Sequence, residues 1–465
     1  MQKNISLKEK IGYGFGDAAS SMYWKIFGMY LLFFYTDVFG LPAAAVGTMF
    51  LITRIWDSFF DPVVGVMADR TETRWGKFRP YLLYIAVPFG LIGIATFYVP
   101  DFNNTGKLLY AYVTYSLMMM VYSLINVPYA SLLGVMSPDG KERTALSTYR
   151  MVFAFIGSFV ALWLIEPLVK YFGDGSMNSP AGWLWAIVVF SIITTILFWG
   201  CFSWTKERVK PIMEQKSSLK DDIKDLFSNQ PWWILLGAGI AALIFNSVRD
   251  GAAVYYFKYY VQDAKEYNFL SSPLSLTTIY LVLGQGANIL GVILATPVSS
   301  RIGKKKTYLS AMSIATILSV IFYVFKSTDV WLIMLFQVLI SICAGVIFPL
   351  LWSMYADIAD YSEWKQGRRA TGLIFSSSSM SQKLGWTLGG AMTGWLLAYF
   401  DFKANVEQTE TAQNGIRLML SILPAIGTIL SVIFISMYPL SEQKMNNITR
   451  DLNKKRTFEN IEQIN

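Results

Sequence analysis

Histidine is absent from the 465 residues, and cysteine occurs only twice, at Cys201 and Cys343. Without an imidazole there is no ordinary neutral-pH switch and no histidine metal site. Any proton handling falls to carboxylates, lysine, tyrosine or water. Two cysteines far apart, each inside an apolar stretch, behave as small hydrophobes and build neither a disulfide frame nor a metal cluster. Charged side chains make up only 15% of the chain, against about 25% in soluble proteins. The first ten residues, MQKNISLKEK, lack the order of a cleavable leader, so the first helix is expected to stay attached. With no metal-ligand cluster and no sizeable soluble loop, an enzyme is not expected.

What is present is apolar. Hydrophobic residues make up 54% and aromatics 16%, and a spanning helix needs roughly 20 mostly apolar residues. Twelve such windows occur near 12–37, 44–68, 80–99, 108–135, 148–170, 183–203, 232–257, 274–298, 307–325, 330–355, 372–399 and 416–438. The net charge of +8 could suggest nucleic acid, but its placement argues against that partner. Lysine and arginine gather at the N-terminus, in the even-to-odd connections, in the central segment and in the tail. The opposite connections hold only Lys107, Lys170, Lys258, Lys265, Lys326 and Lys403. By the positive-inside rule both termini and the central segment are cytoplasmic. The expected setting is a bacterial inner (cytoplasmic) membrane, crossed many times.

The longest polar interruption, 205–231, divides the windows six and six and is expected to carry a short surface helix at 219–227. The expected organisation is a six-helix bundle over 1–204, a central loop over 205–231, a second bundle over 232–440 and a cytoplasmic tail over 441–465. The halves echo each other: GVMADRTETRWGKFRPYLL follows the second window and TPVSSRIGKKKTYL the eighth. Two parallel repeats with a substrate site between them at mid-depth form a known transporter architecture.

The second window contains TRIWDSFFDP, 53–62. Residues three and four apart share a helix face, so Arg54, Asp57 and Asp61 form one polar stripe. Three unpaired charges near the bilayer centre would cost on the order of 8 to 10 kcal/mol, so the stripe faces a hydrated or paired interior. A structural ion pair accommodates Arg54 with one aspartate. It leaves the second unexplained, and two carboxylates one turn apart repel unless a proton or cation joins them. Asp57 and Asp61 are therefore candidate cation-site residues. Asp17, Ser21 and Lys25 at i, i+4 and i+8 give the first helix a polar face, and Asn126 and Ser123 fall together beside Tyr122 and Tyr129. Hydroxyls, amides, charges and rings around a wet cavity suit a sugar.

The strings YGFGD (13–17), FFYTDVFG (33–40), RIWDSFFDP (54–62), TRWGKFRPY (73–81), NVPYASL (126–132) and ADIADYSEWKQGRRATG (356–372) resemble the glycoside–pentoside–hexuronide:cation symporters, the melibiose-carrier branch of the major facilitator superfamily. The resemblance runs from about 13 to 438. It implies an all-α major facilitator fold, twelve transmembrane helices in two pseudo-symmetric six-helix bundles, and sugar uptake by alternating access driven by sodium or protons. Asp57 and Asp61 match the family's paired cation-site aspartates, and Ser123 stands at a threonine near the cation. Arg150 and Lys383 match basic positions of the central cavity, Lys383 as a counter-charge for the aspartates. The melibiose carrier's sugar-binding aspartates fall at Ser21 and Asn126, and its asparagine beside the cation at Phe60. The last departure removes an oxygen ligand and favours a proton.

The resulting expectation is a cation-site set of Asp57, Asp61 and Ser123 and a substrate set of Asp17, Ser21, Lys25, Tyr122, Asn126, Arg150 and Lys383. No bound cofactor is expected beyond the co-transported proton or sodium, and the chain is expected to act as a monomer in the lipid bilayer on a small sugar. Lys25, Arg150, Arg249 and Lys383 would make the cavity cationic and suit an acidic sugar; alternatively Lys25 pairs with Asp17, and Arg249 with Asp250 or a backbone carbonyl. The DRTETRWGKFR loop reads either as a gate, with Asp69 pairing with Arg70 or Arg74, or as topogenic charge alone. A lipid or lysolipid carrier on the same fold is the other class weighed; it would need an apolar cavity.

Overall fold

The computed structural model describes residues 5–137, 140–208, 227–262, 267–269, 272–366 and 371–462. The expected surface helix at 219–227 falls outside these except for its last residue. The described chain is almost wholly helical. The exception is a hairpin of β1 (Tyr267–Phe269) and β2 (Ser272–Leu274), antiparallel with Tyr267 opposite Leu274.

Twelve passes emerge once interrupted helices are joined. The first is α1 (Leu7–Ile26), prolonged by π-helical turns Phe27–Leu31 and Phe34–Val38. Then come α2 (Ala43–Arg70), α3 (Arg79–Tyr84) continued by α4 (Ala86–Thr96), α5 (Asn104–Met136), α6 (Gly140–Phe172) and α7 (Pro180–Trp204). The second set is α8 (Gln230–Tyr255) with its π turn Tyr256–Val261, α9 (Leu276–Ile302), α10 (Lys304–Phe322), α11 (Val330–Gln366), α12 (Thr371–Tyr399) and α13 (Glu410–Leu420) continued by α14 (Ile422–Ser436). Among the described residues seven helices are long and apolar enough to span by composition alone. α1 and α2 fall short of that test because they carry the charged stripes, and α3 and α4 because the pass is split at Ile85. The segment after 440, expected as a tail, forms a helix, α15 (Glu442–Glu462), that buries Met445, Ile448 and Leu452.

Starts and stops follow local chemistry. Ser6 caps α1 by accepting from the Glu9 amide, and Asn103 and Ser179 cap α5 and α7, each satisfying an orphan donor. Pro128 inside α5 and Pro349 inside α11 occupy corresponding helices of the two sets. Proline lacks an N–H and frees the carbonyl one turn earlier.

The molecule packs as two compact units: 1–213 with 250–285 and 390–416, and 214–249 with 286–389 and 417–465. The units do not follow the covalent halves, because the segments 250–285 and 390–416 pack with the N-terminal helices. Inside each unit a glycine brings corresponding helices close. A Cβ on Gly157 of α6 would strike the Ala18 backbone of α1, and one on Gly389 of α12 would strike Ser247 of α8. Small residues let membrane helices approach closely where no hydrophobic force acts between them.

On the face that bears the start of α1, Glu9 is bonded by Arg208, 2.5 and 2.8 Å, and that bond holds the guanidinium above its ordinary range. Next to it the Glu207 carboxylate accepts from the backbone amides of Lys77 and Phe78 at 2.8 Å and of Arg79 at 3.0 Å. It thus caps α3 from a distance in sequence. Gly76 enters this cap with φ 110°, a region that favours glycine, and a Cβ there would collide with Glu207.

Candidate functional site

In the first unit α2 carries the paired aspartates and α5 faces them with Ser123. Asp57 is buried to 1% exposure, and Ser123 Oγ lies 2.9 Å from Asp57 Oδ1 and 2.6 Å from Asp61 Oδ1. One hydroxyl therefore joins two carboxyl groups one turn apart. Arg54, three residues before Asp57, stands 3.9 Å from its second oxygen. Its Nε donates to Tyr115 OH at 3.2 Å, and its guanidinium lies 4.4 Å from the Trp24 ring centroid. This arrangement neutralises one aspartate, and the serine joins Asp61 to it.

Trp24 carries the site across to α1 and back to α5. Its ring sits 5.6 Å from that of Tyr122, and Asn126 Nδ2 donates to Tyr122 OH at 3.4 Å. The Asn126 carbonyl oxygen is buried without a hydrogen-bond donor. One turn further, Arg150 Nε donates to Asp17 Oδ2 at 2.6 Å and its guanidinium covers the Tyr129 ring at 5.1 Å. Tyr129 stacks on Tyr13, 4.9 Å between centroids, and donates to the Tyr13 carbonyl at 2.7 Å. Lys25 faces Asp250 of α8 at 3.8 Å. The first unit thus brings together Asp57, Asp61 and Ser123, and around Trp24 it assembles Tyr122, Asn126, Asp17, Arg150 and Lys25. Ser21 lies on the same face of α1.

Several expectations need correction. Lys25 pairs with Asp250 rather than with Asp17, whose partner is Arg150. For Arg249 the backbone-carbonyl alternative is the one observed: its guanidinium donates to the Leu420 carbonyl and to Gln337 Oε1. The cationic cavity inferred from sequence therefore has its charges answered at Lys25, Arg150 and Arg249. Lys383 lies on α12 in the second unit, where its backbone carbonyl accepts from Thr387 Oγ1 at 2.6 Å. The side chain of Asp69 is outside those described. Arg70 is exposed, and Arg74 lies over the Trp75 ring at 4.1 Å. The order of that loop comes from Glu207, which sequence reasoning passed over.

Also unforeseen is a pair of clasps at the end opposite the start of α1. Asp37, on the second π turn of α1, is bonded by Lys258 Nζ at 2.6 Å, by Tyr259 OH and by Thr36 Oγ1 at 2.7 Å. Lys258 also donates to Asn178 and Asn405 at 3.0 and 2.9 Å. Nearby, Glu166 accepts from Ser275 Oγ at 2.7 Å and from Thr278, and pairs with Lys170 at 2.8 Å. A cavity of about 230 Å³ lies among Tyr30, Phe33, Glu166, Lys170 and Lys258. The signal for Asp37 was an acid beside an aromatic run at the end of the first span.

Comparison with known proteins shows the family. An isoprimeverose transporter of Lactiplantibacillus pentosus is 36% identical over 98% of this chain and 93% of its own length. The inner membrane symporter YicJ of Escherichia coli (strain K12) is 35% identical over 93% of this chain and 92% of its own. Among solved structures a D-xylose-proton symporter shares the fold, with TM-score 0.63, 13% identity and coverage of 93% and 96%. The family described as MFS/sugar transport protein matches residues 12–442, and the chain belongs to it: a major facilitator of twelve membrane-spanning helices, in line with the resemblance its motifs carry.

Proposed function

We propose that the chain is a cation-coupled symporter that carries a sugar or glycoside across a bacterial cytoplasmic membrane by alternating access, with both termini cytoplasmic and one chain as the working unit. The observation that supports it most is the Asp57–Ser123–Asp61 group, joined through Arg54 and Trp24 to a wall of hydroxyl, amide and aromatic groups. Two carboxyl groups this close are tolerated when a small positive ion visits them, and the adjoining wall has the donors and ring faces a sugar needs. The names of the relatives, a sugar transporter and a symporter, point the same way. A lipid carrier is disfavoured by the ion pairs Asp17–Arg150 and Lys25–Asp250, which an acyl chain would desolvate without replacing.

The coupling ion we infer is a proton. A hydroxyl has one hydrogen to give, yet Ser123 Oγ lies within hydrogen-bond distance of both carboxyl groups. A proton brought to the pair supplies the second hydrogen, and both contacts are then favourable. Phe60 supplies no oxygen for sodium, and Arg54 already provides fixed positive charge. In the mechanism the proton removes the repulsion between the two acids, and the neutral pair lets the loaded carrier change state. Coupling of this kind is reciprocal: proton and sugar raise each other's affinity equally.

Purified protein in liposomes tests the reading. An imposed inward proton gradient drives uphill accumulation of a labelled glycoside, whereas a sodium gradient at symmetric pH does not. Accumulation under sodium alone overturns the proton assignment, and indifference to both gradients overturns symport.

A further inference from the structure

Three polar side chains lie along one face of α1. Asp17 is bonded to Arg150, whereas Ser21 makes no hydrogen bond among the described residues, and neither does the ammonium of Lys25. Its acidic neighbour Asp250 is 3.8 Å away, beyond hydrogen-bond reach. Lys25 and Asp250 are only 17% and 23% exposed, and an ammonium brings three donors. A pair at that spacing, set in an otherwise apolar span, leaves the ammonium with donors to give. The spacing between the two groups is wide enough to admit an oxygen that bonds to both.

We propose that Lys25 and Asp250 form a second polar station of the sugar site, built for a neutral hydroxyl. The hydroxyl oxygen accepts from the Lys25 ammonium and its hydrogen goes to the Asp250 carboxylate. Neither charge is left over. The two stations each set an acid beside a base, Asp17 with Arg150 and Asp250 with Lys25. A uronic carboxylate at Lys25 would meet Asp250 beside it and gain little, so the pair selects neutral glycosides over uronides. Trp24, the preceding residue, offers a ring face for the C–H side of the sugar. Asp17 and Lys25 are two turns apart, about 12 Å along the axis. One pyranose ring reaches one station, and a disaccharide or aryl glycoside reaches both. The inference rests on the sugar-symport reading and adds the substrate class.

The experiment is counterflow in liposomes with p-nitrophenyl α- and β-glucosides, galactosides and xylosides, beside the corresponding glucuronides and galacturonides. Neutral members are expected to exchange with KM at least about tenfold below that of their uronides, the worth of one hydrogen bond to a charged group. Lys25→Met and Asp250→Asn each raise the neutral KM by about tenfold with kcat near wild type. The double variant Lys25→Met/Asp250→Asn, which removes both charges of the pair, stays impaired. Calorimetric titration of the same glycosides onto detergent-solubilised protein reads the loss as Kd, apart from any transport step. Lys25→Arg keeps the charge but changes the donor geometry, and shifts KM as well. A double variant with wild-type KM overturns the proposal, since the pair would then be structural only. So does an unchanged KM in Lys25→Arg, or a wild type that prefers uronides. Failure of every panel member to exchange defeats the symport reading, and this proposal with it.

Discussion

Ser123 is a single hydroxyl between two acids, and its replacement separates their roles. Ser123→Ala removes a hydrogen bond to a charged group worth about 1.5 to 3 kcal/mol. The expected result is at least about tenfold weaker uphill accumulation under an imposed proton gradient, with protein abundance unchanged. Asp61→Asn removes one of the two acids: uphill accumulation is lost while sugar exchange across the liposome membrane continues. Concentrative uptake by Asp61→Asn at the wild-type level would remove this acid from coupling. Asp57 and Asp61 were legible in sequence because helical spacing fixes who shares a face, whereas Ser123, on another helix, was reached through the family resemblance. Asp250, the partner of Lys25, was not, because 225 positions separate them in the chain and only packing brings α8 to α1. Trp24 went unnoticed among many aromatics for the same reason.

At the level of elements, helix contacts set what substitutions the scaffold accepts. Gly157 meets the backbone of α1 at Ala18, so Gly157→Leu forces α6 off α1. Overpacking costs typically about 1 to 3 kcal/mol and more where backbone is struck. A lowered unfolding temperature in detergent, with the distance between Asp17 and Arg150 disturbed and sugar affinity reduced, is expected. Glu207→Gln is milder. It keeps one acceptor for the amides of Lys77, Phe78 and Arg79 but removes the charge that strengthens those bonds, for about 1 kcal/mol. Faster proteolysis of the 71–78 loop in Glu207→Gln than in wild type checks it. The twelve passes were readable from apolar length. The splits were not, because the break at Ile85 and the π turns of α1 and α8 answer to tertiary contacts that hydropathy does not record.

On the scale of the molecule, the first unit draws segments from both covalent halves, and Asp37 with Lys258 ties them. Removing one partner of a buried pair costs about 3 to 5 kcal/mol, because the other charge stays behind unanswered. Lys258→Met is therefore expected to favour the state in which this end is open. The shift is by a factor of about a hundred or more, at 1.4 kcal/mol per tenfold. A cysteine placed at Tyr30, beside the clasp, reads that shift as faster labelling by a membrane-impermeant thiol reagent added from the outer side. An unchanged labelling rate would deny Asp37 and Lys258 any part in closure. The grouping of 250–285 and 390–416 with the N-terminal helices was not foreseen, since sequence order assigns them to the other bundle and the bonds that join them are each made by a few residues.

Asp37 and Lys258 both sit on wide turns, each with one residue more than an α turn needs. Such an extra residue is a stored phase offset of about 100° in the winding. Delete one residue from Phe27–Leu31 and the pass still has the length to cross the bilayer, with its apolar face barely altered. The acid beyond the deletion, however, would swing away from its amine. Evolution of this chain by point substitution leaves that dial untouched, while a single codon lost or gained turns it.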